Sequence, residues 1–175
     1  INQYYNKERA RLQSIYSRQG LTIGGRKLLK LTIKRNRKIN NFFHQVSRRL
    51  IDYCCSHNIG TIVIGYNPRW KQRCHIGKVN NQHFVVIPHL RLIHQLQYKA
   101  AEVGITVVLQ DESYSSKCSF LDREPVGPHD HYIGRRVSRG LFHSSTGVVI
   151  NADVNGAYNI LRQALLNAFG ADRIE

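Results

Sequence analysis

Two short apolar runs constrain this chain most. "TIVIGY" spans Thr61 to Tyr66, bounded by Gly60 and by Asn67–Pro68, and "ITVVLQ" spans Ile105 to Gln110. Both are β-branched and too short for helices, so each reads as a buried strand. Residues 84–103 lie between them, with Phe84, Ile87, Leu90 or Arg91, His94 and Tyr98 at helical spacing. That spacing predicts a helix sharing faces by three and four, with Pro88 near its first turn and Gly104 ending it. Strand, helix, strand of this length is a βαβ unit, so the two strands are expected to be parallel neighbours.

The rest of the chain reads around that unit. Residues 2–18 predict a polar helix, broken by Gly20, Gly24 and Gly25. A longer helix is expected from Arg26 to about His57, with Ile39, Phe42, Phe43, Val46, Leu50 and Tyr53 on its buried face. Residues 113–150 contain several Gly and Pro and are expected to be irregular. "NADVNGAYNILRQALLNAF" predicts a closing helix with Val154, Ala157, Tyr158, Leu161, Leu165 and Ala168 inward.

At 175 residues, one domain with a core is expected. No run reaches the roughly 18 apolar residues of a membrane span, and no signal peptide is visible. The sequence contains no Met, which predicts a piece of a longer protein. Its four cysteines form no C-x-x-C pair, so a disulfide framework is not indicated and a reducing, cytosolic setting is expected.

Charge divides the chain. The net charge is +15, but residues 1–110 hold 19 Lys or Arg against 3 Asp or Glu, whereas 111–175 hold 7 against 8. A basic front and an acid-bearing back suggest a polyanion held by one part and chemistry at the other. "RKLLKLTIKRNRK" carries seven cations: Arg26, Lys27, Lys30, Lys34, Arg35, Arg37 and Lys38. They are candidate phosphate contacts. The loop after the first strand adds Arg69, Trp70, Lys71 and Arg73, where a ring among cations can grip phosphates and stack on bases. Arg135, Arg136 and Arg139 are further backbone contacts.

The scarce acids sit at element ends. Asp111 and Glu112 follow the second strand, and Asp153 opens the closing helix. In open α/β sheets function gathers at the carboxyl ends of strands. Carboxylates converging there suit Mg²⁺ or Mn²⁺. Each has a structural reading too: Asp153 as a helix cap, Asp111 as a solvated turn. The histidines show no metal-ligand spacing, and Ser115 and Ser116 have no activating partner placed by motif.

"INADVNGAYNILRQAL" and "DESYSSKCSFLD" resemble the C-terminal part of the TnpB (OrfB) proteins of bacterial insertion sequences, RNA-guided DNA nucleases related to the type V CRISPR effectors. The family's final motif, D-x-N-x-A-x-N-I, is matched by Asp153, Asn155, Ala157, Asn159 and Ile160. Its Y-[ST]-S-K-C-S phrase is matched from Tyr114 to Ser119. The resemblance implies an α/β, RNase H-like (RuvC-type) mixed sheet flanked by helices, incomplete at the N-terminus. Residues 1–112 and 151–175 would form the nuclease domain, and 113–150 a degenerate zinc-ribbon-like insertion. It further implies Glu112 and Asp153 as catalytic metal ligands, Mg²⁺ or Mn²⁺ as cofactor, guide RNA and target DNA as partners, no membrane, and a bacterial cytoplasmic location.

The chain departs from the pattern in three places. The family's first Asp has no counterpart, so this piece alone is expected to be inactive. Gly65 stands where the family's Glu ends the first strand, so Glu112 is expected to have taken over its role from the neighbouring strand. The ribbon positions hold Cys118, Leu121, His143 and Thr146, which cannot make a tetrahedral zinc site; no structural zinc is expected. The alternative is a nuclease-inactive relative that still binds guide RNA and DNA.

Overall fold

The computed structural model describes residues 1–21, 25–68, 87–138 and 140–165. The chain divides into two compact units. One takes Ile1–Gly60 and Arg73–Ile105, the other Thr61–Gln72 and Thr106–Glu175. Among the described residues no helix is long and apolar enough to cross a membrane.

The first unit is helical. Helix α1 (Asn2–Arg18) stops at Gly20, whose φ of +67° suits glycine. Helix α2 (Arg26–Ser56) follows and packs on α1 and on α3 (His89–Glu102). α3 starts at His89, so Ile87 precedes it and Pro88 is its N-cap, later than the expected start at residue 84; Gly104, at φ +77°, ends it, as expected. Residues 84–86 lie outside the described residues. The buried faces differ from the expected ones. In α2 the core side is Ile39, Phe43, Ser47, Ile51 and Cys54. Phe42, Leu50 and Tyr53 are exposed. In α3 the buried residues are Ile93, Gln95, Leu96, Lys99 and Ala100, while Leu90 and Tyr98 are exposed and so is His94. The cause is polar pairing at the helix–helix contact. Lys99 Nζ donates to Ser47 Oγ at 2.7 Å and to the His44 carbonyl at 2.8 Å, and Gln95 Nε2 donates to Asn40 Oδ1 at 3.2 Å. Lys99 and Ser47 are buried with their polar groups paired, whereas Gln95 pairs only through Nε2 and its buried Oε1 has no hydrogen-bond partner.

The second unit holds the strands. β1 (Thr61–Gly65) and β2 (Thr106–Gln110) pair in parallel, Thr61 opposite Thr106 and Gly65 opposite Gln110. Residues 113–150 are more regular than expected. β3 (Arg135–Ser138) and β4 (Leu141–His143) form an antiparallel hairpin around Gly140, at φ +84°, and β5 (Val149–Asn151) pairs with β4. The closing helix α4 (Ala152–Ala164) packs on β1 and β2 and on the small sheet. It buries Ala152, Asn155, Gly156 and Asn159, whereas Val154 and Tyr158 are exposed, with Ala157 and Leu165. The apolar stripe predicted there therefore faces the wrong way; Ala168 lies outside the described residues.

Candidate functional site

The carboxyl ends of β1 and β2 meet at Gly65 and Gln110, and the Tyr66 N–H donates to the Gln110 carbonyl at 2.8 Å. Two residues on, Asp111 and Glu112 diverge. Asp111 Oδ1 accepts from the Ser113 N–H at 2.9 Å and its hydroxyl at 2.8 Å, which closes a turn and holds the Asp111 pKa below the usual carboxylate range. Glu112 turns back over β1. A Cβ placed on Gly65 would stand 3.2 Å from Glu112 Oε2, 3.3 Å from Glu112 Cβ and 2.7 Å from Ile160 Cδ1 of α4. Ile160 Cδ1 thus crowds the place of a side chain at position 65, and the glutamate borders it. Burial, and then the charge of Asp111, raise its pKa.

Asp153 lies in the first turn of α4 and is exposed. It does not cap the helix. Asn151 does, its Oδ1 accepting from the Asp153 and Val154 N–H groups at 2.9 and 3.3 Å. The Asp153 carboxylate takes part in none of the hydrogen bonds or ion pairs among the described residues. α4 carries Asp153 and, two turns on, Ile160, which like Glu112 lies beside Gly65. Among the described residues no group of three or more His, Cys, Asp and Glu is clustered for a metal.

The turn beyond Glu112 is held by α4. Asn155 Nδ2 donates to the Cys118 carbonyl at 2.9 Å while its Oδ1 accepts the Phe120 N–H at 2.9 Å. Asn159 Nδ2 donates to the carbonyls of Ser115 and Cys118 at 2.9 and 2.7 Å. Both asparagines are fully buried. This clamp was present in the sequence as two Asn four apart, the spacing of one helix face, but apolar periodicity pointed elsewhere. Further along, the buried Glu124 accepts from the N–H groups of Ser119 at 2.7 Å and Ile133 at 3.0 Å. Asp122 ties to Ser145 through its N–H and hydroxyl at 2.9 and 2.5 Å. Of the four ribbon positions, Cys118 is buried with its Sγ toward the Gly127 carbonyl at 3.6 Å, and Thr146 Oγ1 pairs with Ser144 Oγ at 2.9 Å.

The predicted phosphate contacts on α2 separate into two kinds. Arg26, Lys27, Lys30, Lys34, Arg37 and Lys38 are exposed. Arg35 is half-buried: it donates to Asn2 Oδ1 at 3.2 Å and to Asn36 Oδ1 at 2.9 Å, and lies 5.5 Å over the Tyr5 ring. Burial lowers its pKa. It joins α1 to α2. Lys30, Lys34, Arg37, Lys38 and Ile33 line an open groove of about 380 Å³. Like charges four apart on a helix cost about 0.2–0.5 kcal/mol per pair, so the row Lys30–Lys34–Lys38 is unfavourable until an anion meets it. Arg135 and Arg136 are exposed neighbours on β3. Arg69, Trp70, Lys71, Arg73 and Arg139 lie outside the described residues.

Residues 1–71 match the family described as OrfB_IS605, probable transposase, and residues 89–160 match the family described as Cas12f1-like, TNB domain. The chain is 27% identical over 173 residues to the TnpB-like protein ORF457 of Acidianus two-tailed virus. The match takes in 93% of this chain and 34% of that protein, so the chain spans about a third of its relative's length. Its fold is similar to a chain in the cryo-EM structure of the Cas12f1–sgRNA–target DNA complex: TM-score 0.62, 18% identity, 90% of this chain and 40% of that one. The chain is thus similar to a TnpB-like protein along nearly its whole length, and to the two families over residues 1–71 and 89–160.

Proposed function

We propose that this chain is the C-terminal portion of an RNA-guided DNA endonuclease that hydrolyses phosphodiesters at a RuvC-type, RNase H-like site, with Glu112 in place of a carboxylate on β1. The observation that carries the reading is Glu112 Oε2 at 3.2 Å from where a Gly65 side chain would begin. One carboxylate from beyond the neighbouring strand would then serve beside the position that β1 leaves without a side chain. Asp153, on the helix that packs against both strands and free of capping duty, is its partner.

The donor set fits a hard divalent cation. Two carboxylates supply oxygen ligands, and a cation would relieve the repulsion that Asp111 imposes on Glu112. Glu112 and Asp153 would hold Mg²⁺ or Mn²⁺, which when bound supplies Lewis-acid stabilisation of the attacking and leaving oxygens. The exposed cations of α2, with Arg135 and Arg136, would bind the backbones of guide RNA and target DNA. The activity is assigned to the complete protein. Residues 1–112 and 151–175 serve as the nuclease domain and 113–150 as the inserted target-binding segment. No zinc is proposed there: Leu121 offers no donor atom, and the Asp122–Ser145 hydrogen bonds join the segment instead.

The test is cleavage by the complete, guide-loaded protein. Glu112→Gln should lower the rate about 100-fold or more with target binding retained, and Asp153→Asn likewise. Because cation binding needs the ionised carboxylate, activity should fall as pH drops through the raised Glu112 pKa. Asp111→Asn should move that acid limb to lower pH. Full activity in Glu112→Gln would sink the reading, and an inactive native protein that still binds target would establish the guided binder instead.

A further inference from the structure

The turn after Glu112 presents side chains that neither the fold nor the carboxylates use. Tyr114 has φ +65°, a left-handed conformation that is strained for a side chain of this size. It is imposed from behind. The Ser115 N–H and hydroxyl both return to the Glu112 carbonyl, at 3.2 and 2.8 Å, and the Lys117 and Cys118 N–H groups both donate to the Tyr114 carbonyl, at 2.9 and 3.2 Å. Asn159 then pins the carbonyls of Ser115 and Cys118. The result is a ring pushed outward, 41% exposed, on a backbone fastened to the core.

Lys117 completes the surface. Its ammonium lies 5.9 Å from the centroid of Tyr114 and 5.6 Å from that of Tyr132. His129 meets Tyr132 edge-on at 5.5 Å. Among the described residues Lys117 has no carboxylate within 4.0 Å. A cation flanked by two rings, with its charge unneutralised, matches a nucleotide: a base has a π-face for a ring, and a phosphate has the opposite charge. Tyr114 is two residues from Glu112, a span of at most about 7 Å.

We infer that Tyr114, Lys117 and Tyr132 form a stacking step for one nucleotide of single-stranded DNA next to Glu112, a step that rests on the nuclease reading above. Tyr114 carries the base and Lys117 the phosphate. The strand is held in register by the protein surface, without sequence readout.

The test measures binding separately from cleavage. The complete guide-loaded protein is titrated with a fluorescent single-stranded DNA not complementary to the guide. Tyr114→Leu should weaken capture roughly 5- to 100-fold, while Tyr114→Phe stays within about twofold. Lys117→Gln should reduce the slope of log affinity against log salt by about 0.7, the signature of one lost single-strand phosphate contact. Tyr114→Gly relieves the backbone, so it should melt no lower than the native protein and still bind poorly. Native-like capture by Tyr114→Leu, or tighter capture of RNA of the same sequence, would overturn the step. So would a lower melting temperature of Tyr114→Gly with unchanged binding, which assigns the ring to the fold. An inactive Glu112→Gln beside unaffected Tyr114→Leu binding removes the step alone. An active Glu112→Gln removes the nuclease reading while leaving the binding result to stand.

Discussion

The helical unit and the strand-bearing unit place polar groups in their interiors for different ends. In the helical unit Lys99 is buried at the α2–α3 contact, its ammonium on Ser47 and on the His44 carbonyl. Those acceptors belong to a helix whose main chain is already bonded, so the lysine adds to a surface that would hold together without it. In the other unit Asn155, Asn159 and Glu124 bond to loop backbone in an irregular segment with few ladder partners of its own. There the polar side chains replace secondary structure. A buried polar residue can thus be incidental in one half of a chain and indispensable in the other, according to whether the backbone it meets has another partner.

That contrast can be broken by substitution, most severely at the clamp. Asn155→Ala leaves the Phe120 N–H buried without an acceptor and should destabilise the strand-bearing unit by about 2–4 kcal/mol. Urea unfolding would measure it, with amide exchange at Phe120 rising first. Gly65→Ala comes next. The added methyl would meet Ile160 Cδ1 and Glu112 Oε2, both ends of side chains that can move, so stability should fall by only about 1–2 kcal/mol. Cleavage by the complete protein should fall further than that loss explains, because Glu112 must shift. Equal activity in Gly65→Ala and the native protein would show that the glutamate does not depend on the empty position. The smallest effect is expected from Lys99→Met in the helical unit. It keeps the apolar stem and removes a buried charge, so stability should stay within about 1 kcal/mol of native by thermal or urea unfolding. A loss as large as that of Asn155→Ala would erase the distinction between the units.

The placement of Glu112 also shows why an acid pair in a sequence is hard to assign. Asp111 and Glu112 are adjacent and chemically alike, yet one closes a turn with Ser113 and the other reaches back over the neighbouring strand. What separates them is the vacancy at Gly65, forty-seven positions earlier. Asp153 was ambiguous for a similar reason, because a carboxylate at a helix start is a natural cap. Asn151 resolves the ambiguity by taking the cap from two residues upstream.

Local pattern by itself determined much of this protein. The limits of α1, α2, β1 and β2, the start of α4, the stops at Gly20 and Gly104, the parallel pairing of the two apolar runs and the basic row along α2 all follow from signals within a few residues, since propensity, capping and charge act at that range; the end of α4 at Ala164 does not. Tertiary structure decided which helix faces turn inward, that two asparagines would hold the loop, that Arg35 would join helices while its neighbours stayed free, and which acid would lie over Gly65. Those outcomes depend on the partner each polar group finds across the fold, and a hydrogen bond between residues tens of positions apart leaves no period in the sequence for a reader to follow.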